Sequence, residues 1–172
     1  MTEIVDHGVT GKIIKEISEP VGLVMINCTF IEQALSAIFE ITADEVYAAG
    51  RKVKRPFGLD DKIKVCGKIF RNVDTLVHYK EAVQSNLQQL KKVKVIRDTF
   101  AHGTVSRFEE ASTVFTFSVV NPEDDHHALH EVRISAENIR IAAEVSYSLA
   151  TFFQKVATDL MERETGPGDR HG

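Results

Sequence analysis

Arg97, Asp98 and His102 are the residues of this chain whose types and spacing best suit chemistry. They lie in the run Ile96-Arg97-Asp98-Thr99-Phe100-Ala101-His102-Gly103, which closes a helical pattern with a guanidinium, a carboxylate, an imidazole and a glycine stop. The apolar positions leading in are Val83, Leu87, Leu90, Val93, Ile96 and Phe100, spaced by threes and fours as one face of an α-helix requires. At ~100° per residue Arg97 projects into that same arc, where an unpaired guanidinium is costly, so it requires a partner, an interface or an anionic ligand. Asp98 and His102 are four apart and stack on one face, so the carboxylate can hold the imidazole in one tautomer and raise its basicity. That is half of an acid-base site.

Other candidates are weaker on the same physical grounds. Lys91, Lys92 and Lys94 lie one to two turns before the histidine and either guide a phosphate backbone or form a solvated helical face. Arg51, Lys52, Lys54 and Arg55, bounded by Pro56, read most often as a solvated loop and less often as a phosphate-contacting patch. Asp124, Asp125, His126, His127 and His130 have metal-ligand chemistry but fall on a turn between strands, where ligands are poorly fixed, so no metal is expected there. Cys28 and Cys66 sit in apolar helical patterns away from any nucleophile motif and read as small core residues. No glycine stands in the register of a phosphate-binding loop, so nucleoside triphosphate hydrolysis is not supported and no cofactor is expected.

The elements that position these residues follow from periodicity. Glu19-Pro20 predicts the start of a helix to about Glu40, buried through Val24, Cys28, Ile31, Leu35, Ile38 and Phe39. Thr42 with Glu45 predicts a capping box for a short second helix ending at Gly50. Leu59, Ile63, Cys66, Ile69 and Phe70 mark a third helix, and residues 80–102 the fourth and longest. Phe115, Phe117 and Val119 then alternate as a strand, residues 129–134 supply its partner, and Asn121-Pro122-Glu123-Asp124-Asp125 supplies the turn of a β-hairpin. Ser135 caps a last helix, stapled by Ile134 and Ile139, with Ile141, Val145, Leu149, Phe152, Phe153 and Val156 facing inward.

Composition bounds the reading. At 172 residues, with 43% hydrophobic and 27% charged, the chain has the balance of one globular domain, expected over 1–162 with a disordered tail over 163–172. A formal charge of -4 excludes a strongly basic nucleic-acid coat and confines any RNA contact to a local face. Two cysteines make no disulfide framework, and the reduced cytoplasm is expected. The segment Met-Thr-Glu-Ile-Val-Asp has no secretory pattern, and no run of the ~18 apolar residues that a membrane span needs is evident, so no membrane association is expected.

The run Ile96 to Gly103 resembles the signature of the HEPN superfamily, an arginine followed by a polar residue and, four to six positions after the arginine, a histidine near the end of a long helix. The resemblance extends to Phe30-Ile31-Glu32-Gln33-Ala34-Leu35, similar to that family's acidic residue set among apolar ones, and covers Pro20 to Val156. Pro56-Phe57-Gly58-Leu59-Asp60-Asp61-Lys62-Ile63 is also similar to the mannitol-repressor-like branch of related helical regulators. Here aspartate replaces the asparagine commonest after the arginine, which puts a like charge near any phosphate.

The resemblance implies a mainly α, up-and-down helical bundle with the β-hairpin between the long fourth helix and the C-terminal helix. It implies a homodimer through that helix and a metal-independent endoribonuclease of stress, phage defence or toxin–antitoxin type, with an antitoxin or regulator protein as a further partner. His102 would take the ribose 2'-hydroxyl proton or protonate the leaving oxygen, and Arg97 would bind the scissile phosphate and stabilise the charge that develops in the transition state. The mannitol-repressor-like similarity implies instead a non-catalytic dimeric regulator.

Overall fold

A computed structural model of the chain describes residues 7–48, 50, 54–120 and 129–165. It is mainly helical, with a small antiparallel sheet between the third and fourth helices, as the periodicity predicts. The elements are α1 (His7–Ala48), α2 (Leu59–Asn72), α3 (Lys80–His102), β1 (Thr104–Glu109), β2 (Val114–Val120), β3 (Leu129–Ser135) and α4 (Ala136–Thr165). The chain divides into two compact units. One comprises residues 1–26 and 92–147, the other residues 27–91 and 148–172. Each of α1, α3 and α4 contributes one part to each unit.

The first unit holds the sheet, ordered β1-β2-β3 and antiparallel throughout. The alternation at Phe115 and Phe117 places both rings in a buried cluster with Ile17, Ile134, Ala136 and Ile139. Phe100 packs on Phe117 edge to face, ring centroids 4.8 Å apart, which joins the end of α3 to the sheet. Ile134 and Ile139 share that cluster as the staple requires, and the Ser135 Oγ accepts the Asn138 N–H at 3.1 Å as its cap.

The hairpin gains a third strand. β1 is exposed along most of its length, so its sequence shows little apolar alternation, and a bulge at Ser106 shifts its register against β2. On α4 the expected inward residues Leu149, Phe153 and Val156 are buried, but Ile141 is exposed and Val145 half-buried, and around them Ala142, Ala143 and Ser146 are the buried residues.

The second unit packs the apolar faces of its helical segments. Ile31, Leu35, Ile38, Ile63, Phe70, Leu76, Leu90, Phe153 and Leu160 are all nearly inaccessible. α2 and α3 approach closely at Gly67, where Gln84 Nε2 donates to the Gly67 carbonyl at 2.8 Å. Glu45 accepts from Thr75 Oγ1 at 2.6 Å and pairs with Arg163.

Two expected helix boundaries are absent. Pro20 lies inside α1 and not at its first turn, so the helix accommodates a proline that removes a hydrogen bond and crowds the preceding turn. Burial of Ile17 and Val24 on either side holds it in place. Thr42 starts no second helix: its buried hydroxyl donates back to the Ile38 carbonyl at 2.7 Å, satisfying itself within a continuous helix. The expected stop at Gly50 holds, with φ +72° and its N–H on the Tyr47 carbonyl at 2.9 Å.

Because α1 is continuous, its segment Ile14–Ala48 is long and apolar enough to cross a membrane by length and composition, contrary to the reading of shorter separate helices. Ile17, Val24, Cys28, Ile31 and Leu35 of that segment are buried, whereas Ile14, Leu23, Ile26 and Phe30 are exposed. At the other end, α4 continues through Arg163 to Thr165, beyond the expected boundary at residue 162. The remainder of the expected tail, residues 166–172, lies outside the described residues.

Candidate functional site

Arg97, Asp98 and His102 all fall in the last turns of α3, within the first unit. Val93 and Thr99 on this segment are buried, and Ile96 and Phe100 pack half-buried against the sheet cluster. Thr99 Oγ1 donates to the Val95 carbonyl at 2.7 Å, so a buried hydroxyl is satisfied locally. Gly103 ends the helix with its N–H on the Thr99 carbonyl at 2.8 Å. A Cβ at this position would stand 2.5 Å from that same carbonyl oxygen, so any other residue forces the close turn to open.

Arg97 is half-buried, and its Nη1 donates to Asp98 Oδ1 at 2.8 Å. The other oxygen of Asp98 accepts from Lys94 Nζ one turn earlier. Two cations therefore bracket one carboxylate. Burial pushes the Asp98 carboxyl up, yet the hydrogen bonds and charges of Lys94 and Arg97 outweigh burial and hold it below its ordinary value. The trio keeps a net charge of one positive unit at neutral pH.

No hydrogen bond joins Asp98 to His102, although their spacing allows one. His102 is the last residue of α3 and is exposed, with no hydrogen bond or ion pair to another described residue. Five residues of helix set Arg97 and His102 roughly 140° apart around the axis and about 7.5 Å apart along it. A guanidinium and an imidazole so placed on one helix address different directions, and a phosphate meeting both requires side-chain reach or a second copy.

The three lysines separate. Lys91 and Lys92 are exposed, whereas Lys94 is half-buried on Asp98 and acts through that carboxylate. A small cavity of about 190 Å³ lies in the same unit, lined by Phe100, Val105, Phe108, Phe115 and Phe117 with Ile14 and Ile17. Its walls are wholly apolar and offer a phosphate no donor.

Among the described residues no group of three or more His, Cys, Asp or Glu side chains could hold a metal. His130 is exposed on β3, while Asp124, Asp125, His126 and His127 lie outside the described residues. Cys28 and Cys66 are free and buried, as the apolar pattern predicts. The Cys66 thiol donates to the Leu35 carbonyl at 3.5 Å, and burial pushes it up to about 12, which removes thiolate chemistry at neutral pH.

Sequence reasoning passed over a groove in the second unit, where Lys54 and Arg55 of the basic run meet Phe57, Lys64 and Lys68. The available signal was the four-residue spacing of Lys64 and Lys68, which places both on one face of α2. Arg51 and Lys52 of the same run lie outside the described residues. Comparisons with family models, with curated proteins and with solved structures find no match to this chain.

Proposed function

We propose that this chain is a metal-independent endoribonuclease of HEPN type, cytoplasmic and acting as a homodimer through α3. The observation that carries the reading is the placement of His102: an exposed imidazole with no hydrogen bond or ion pair among the described residues, at the end of the helix that also presents Arg97. An imidazole left to solvent is available to a ribose hydroxyl or a leaving oxygen, which general acid–base chemistry requires. A guanidinium carries five N–H donors in a planar fork that matches two phosphate oxygens. Lys91 and Lys92, exposed on the same helix, supply the backbone attraction. The roughly 140° between Arg97 and His102 is bridged by a two-fold axis, which brings the arginine of one copy to the histidine of the other.

Another feature favours a second reading, a non-catalytic dimeric regulator. Asp98 is engaged by Lys94 and Arg97, leaving His102 without the carboxylate that would orient it. The two readings separate in one experiment. Purified protein incubated with unstructured RNA in EDTA yields products ending in 2',3'-cyclic phosphate, and His102→Ala and Arg97→Ala each lower the rate by roughly 100-fold or more while thermal melts stay unchanged. Light scattering gives a dimer mass for all three proteins. Equal cleavage by wild type and His102→Ala excludes the nuclease reading, and a strict monomer excludes the composite site.

A further inference from the structure

Phe57 is 96% exposed, the most accessible of the large apolar side chains described. Burying an aromatic ring stabilises a protein, so a phenylalanine held almost entirely in water forgoes that contribution unless something else covers it. It stands at a groove of about 460 Å³ in the second unit, between the 54–57 segment and one face of α2. Lys54 and Arg55 enter from the segment, and Lys64 and Lys68 from the helix. Arg55 is paired with Glu40 at 2.8 Å, but Lys54, Lys64 and Lys68 have no ion pair among the described residues. Asp61 is the sole carboxylate among the described lining residues, so cations outnumber anions on the walls by four to one. On a chain whose formal charge is -4, this is a local reversal of sign.

We infer that this groove binds single-stranded nucleic acid, with Phe57 stacking on an unpaired base and Lys54, Lys64 and Lys68 following the phosphates. The chemistry fits that ligand on both counts. Polyanion attraction alone leaves the ring without a purpose, and an apolar partner alone leaves three lysines to be desolvated without counter-charge. A strand with unstacked bases supplies a π-face and a line of negative charge together, and proteins that hold single strands combine a basic groove with an aromatic platform in this way. The groove does not depend on Arg97 or His102, and the inference stands apart from the nuclease reading.

A fluorescent oligothymidylate tests it, because a strand without 2'-hydroxyls cannot undergo the cleavage proposed above, so binding and catalysis are read separately. Anisotropy titrations over a salt series should show binding that weakens about tenfold in Phe57→Ala and is retained in Phe57→Tyr, which keeps the ring. Lys64→Glu with Lys68→Glu should weaken binding and flatten the dependence of log affinity on log salt by roughly 0.7 for each phosphate no longer neutralised. All of these changes lie on exposed positions, and matching thermal melts confirm the fold. Absence of binding by the wild-type chain overturns the inference. So does undiminished binding by Phe57→Ala, or a duplex of equal length binding as tightly as the single strand, since a paired base cannot reach the ring.

Discussion

Replacing Gly103 by alanine tests how the end of α3 is fixed, and the expected effect can be worked from distances. The added Cβ would lie 2.5 Å from the Thr99 carbonyl oxygen, 3.3 Å from Val119 Cγ2 and 3.4 Å from Phe117 Cβ. A carbon–oxygen contact normally settles near 3.3 Å, so the backbone must open by about 0.8 Å against a sheet face already in contact. Overpacking of this kind costs roughly 1–3 kcal/mol, and stretching the Gly103 N–H bond to Thr99 adds about 1 kcal/mol. Reduced unfolded-state entropy returns about 0.7 kcal/mol, leaving a net loss near 2 kcal/mol. For a chain of this length that lowers Tm by about 4–8 °C, measured by far-UV circular dichroism. Gly22 supplies the internal control. It lies within α1, and a methyl group added there would meet nothing within 4 Å, so Gly22→Ala gains about 0.5–1 kcal/mol by helix propensity alone. A Gly103→Ala protein as stable as wild type, or both variants shifting in the same direction, refutes the reasoning.

Asp98→Asn should alter the acid limb of stability. A carboxyl held below its ordinary value contributes stability that is present above the ordinary carboxylate range and lost as pH falls through the folded-state value. Urea midpoints measured from neutral to acid pH should therefore fall less steeply in the variant, and parallel curves would count against the bracket of Lys94 and Arg97. Cys28 and Cys66, 1% and 0% exposed, should resist a thiol reagent in native buffer and react fully in denaturant. Stoichiometric labelling of the native protein would contradict their burial.

Much of the fold was legible because its signals are local. The stripe Val83, Leu87, Leu90 and Val93 is buried as its spacing requires, and α3 begins and ends where the pattern does. Phe115 and Phe117 alternate because both rings enter one buried cluster, with polar Thr116 between them on the opposite face. The misreadings arise where a local signal competes with tertiary burial. Pro20 and Thr42 are boundary residues by propensity, but α1 buries apolar groups on both sides of each, and packing overrides the punctuation. β1 escaped notice because most of it is exposed and its apolar residues Val105 and Phe108 fall three apart across the bulge, without the alternation that marks a strand. At the site, the type and helical placement of Arg97 and His102 were readable from sequence, whereas their environment was not. The basic segment near Pro56 read as loop because nothing in its own composition shows that Lys64 and Lys68 of α2 share its groove.

The partner chosen by Asp98 illustrates the limit of spacing as evidence. Lys94 and His102 are both four residues away, one turn on either side, and either could reach the carboxylate. A neutral imidazole offers it an ordinary hydrogen bond, while an ammonium and a guanidinium offer charge-assisted bonds roughly twice as strong. Arg97, adjacent in sequence, already brings positive charge to one oxygen, so the ammonium of Lys94 completes a bracket that a neutral histidine cannot match. The consequence reaches function. With the carboxylate committed, the nuclease proposed above must orient His102 through its substrate or a second copy of the chain, and in that proposal Arg97 would meet a phosphate as part of a trio whose net charge is one positive unit. Under the same proposal the aspartate after Arg97 would do more than repel an incoming phosphate, because its bond to Nη1 holds the guanidinium on the helix before a ligand arrives.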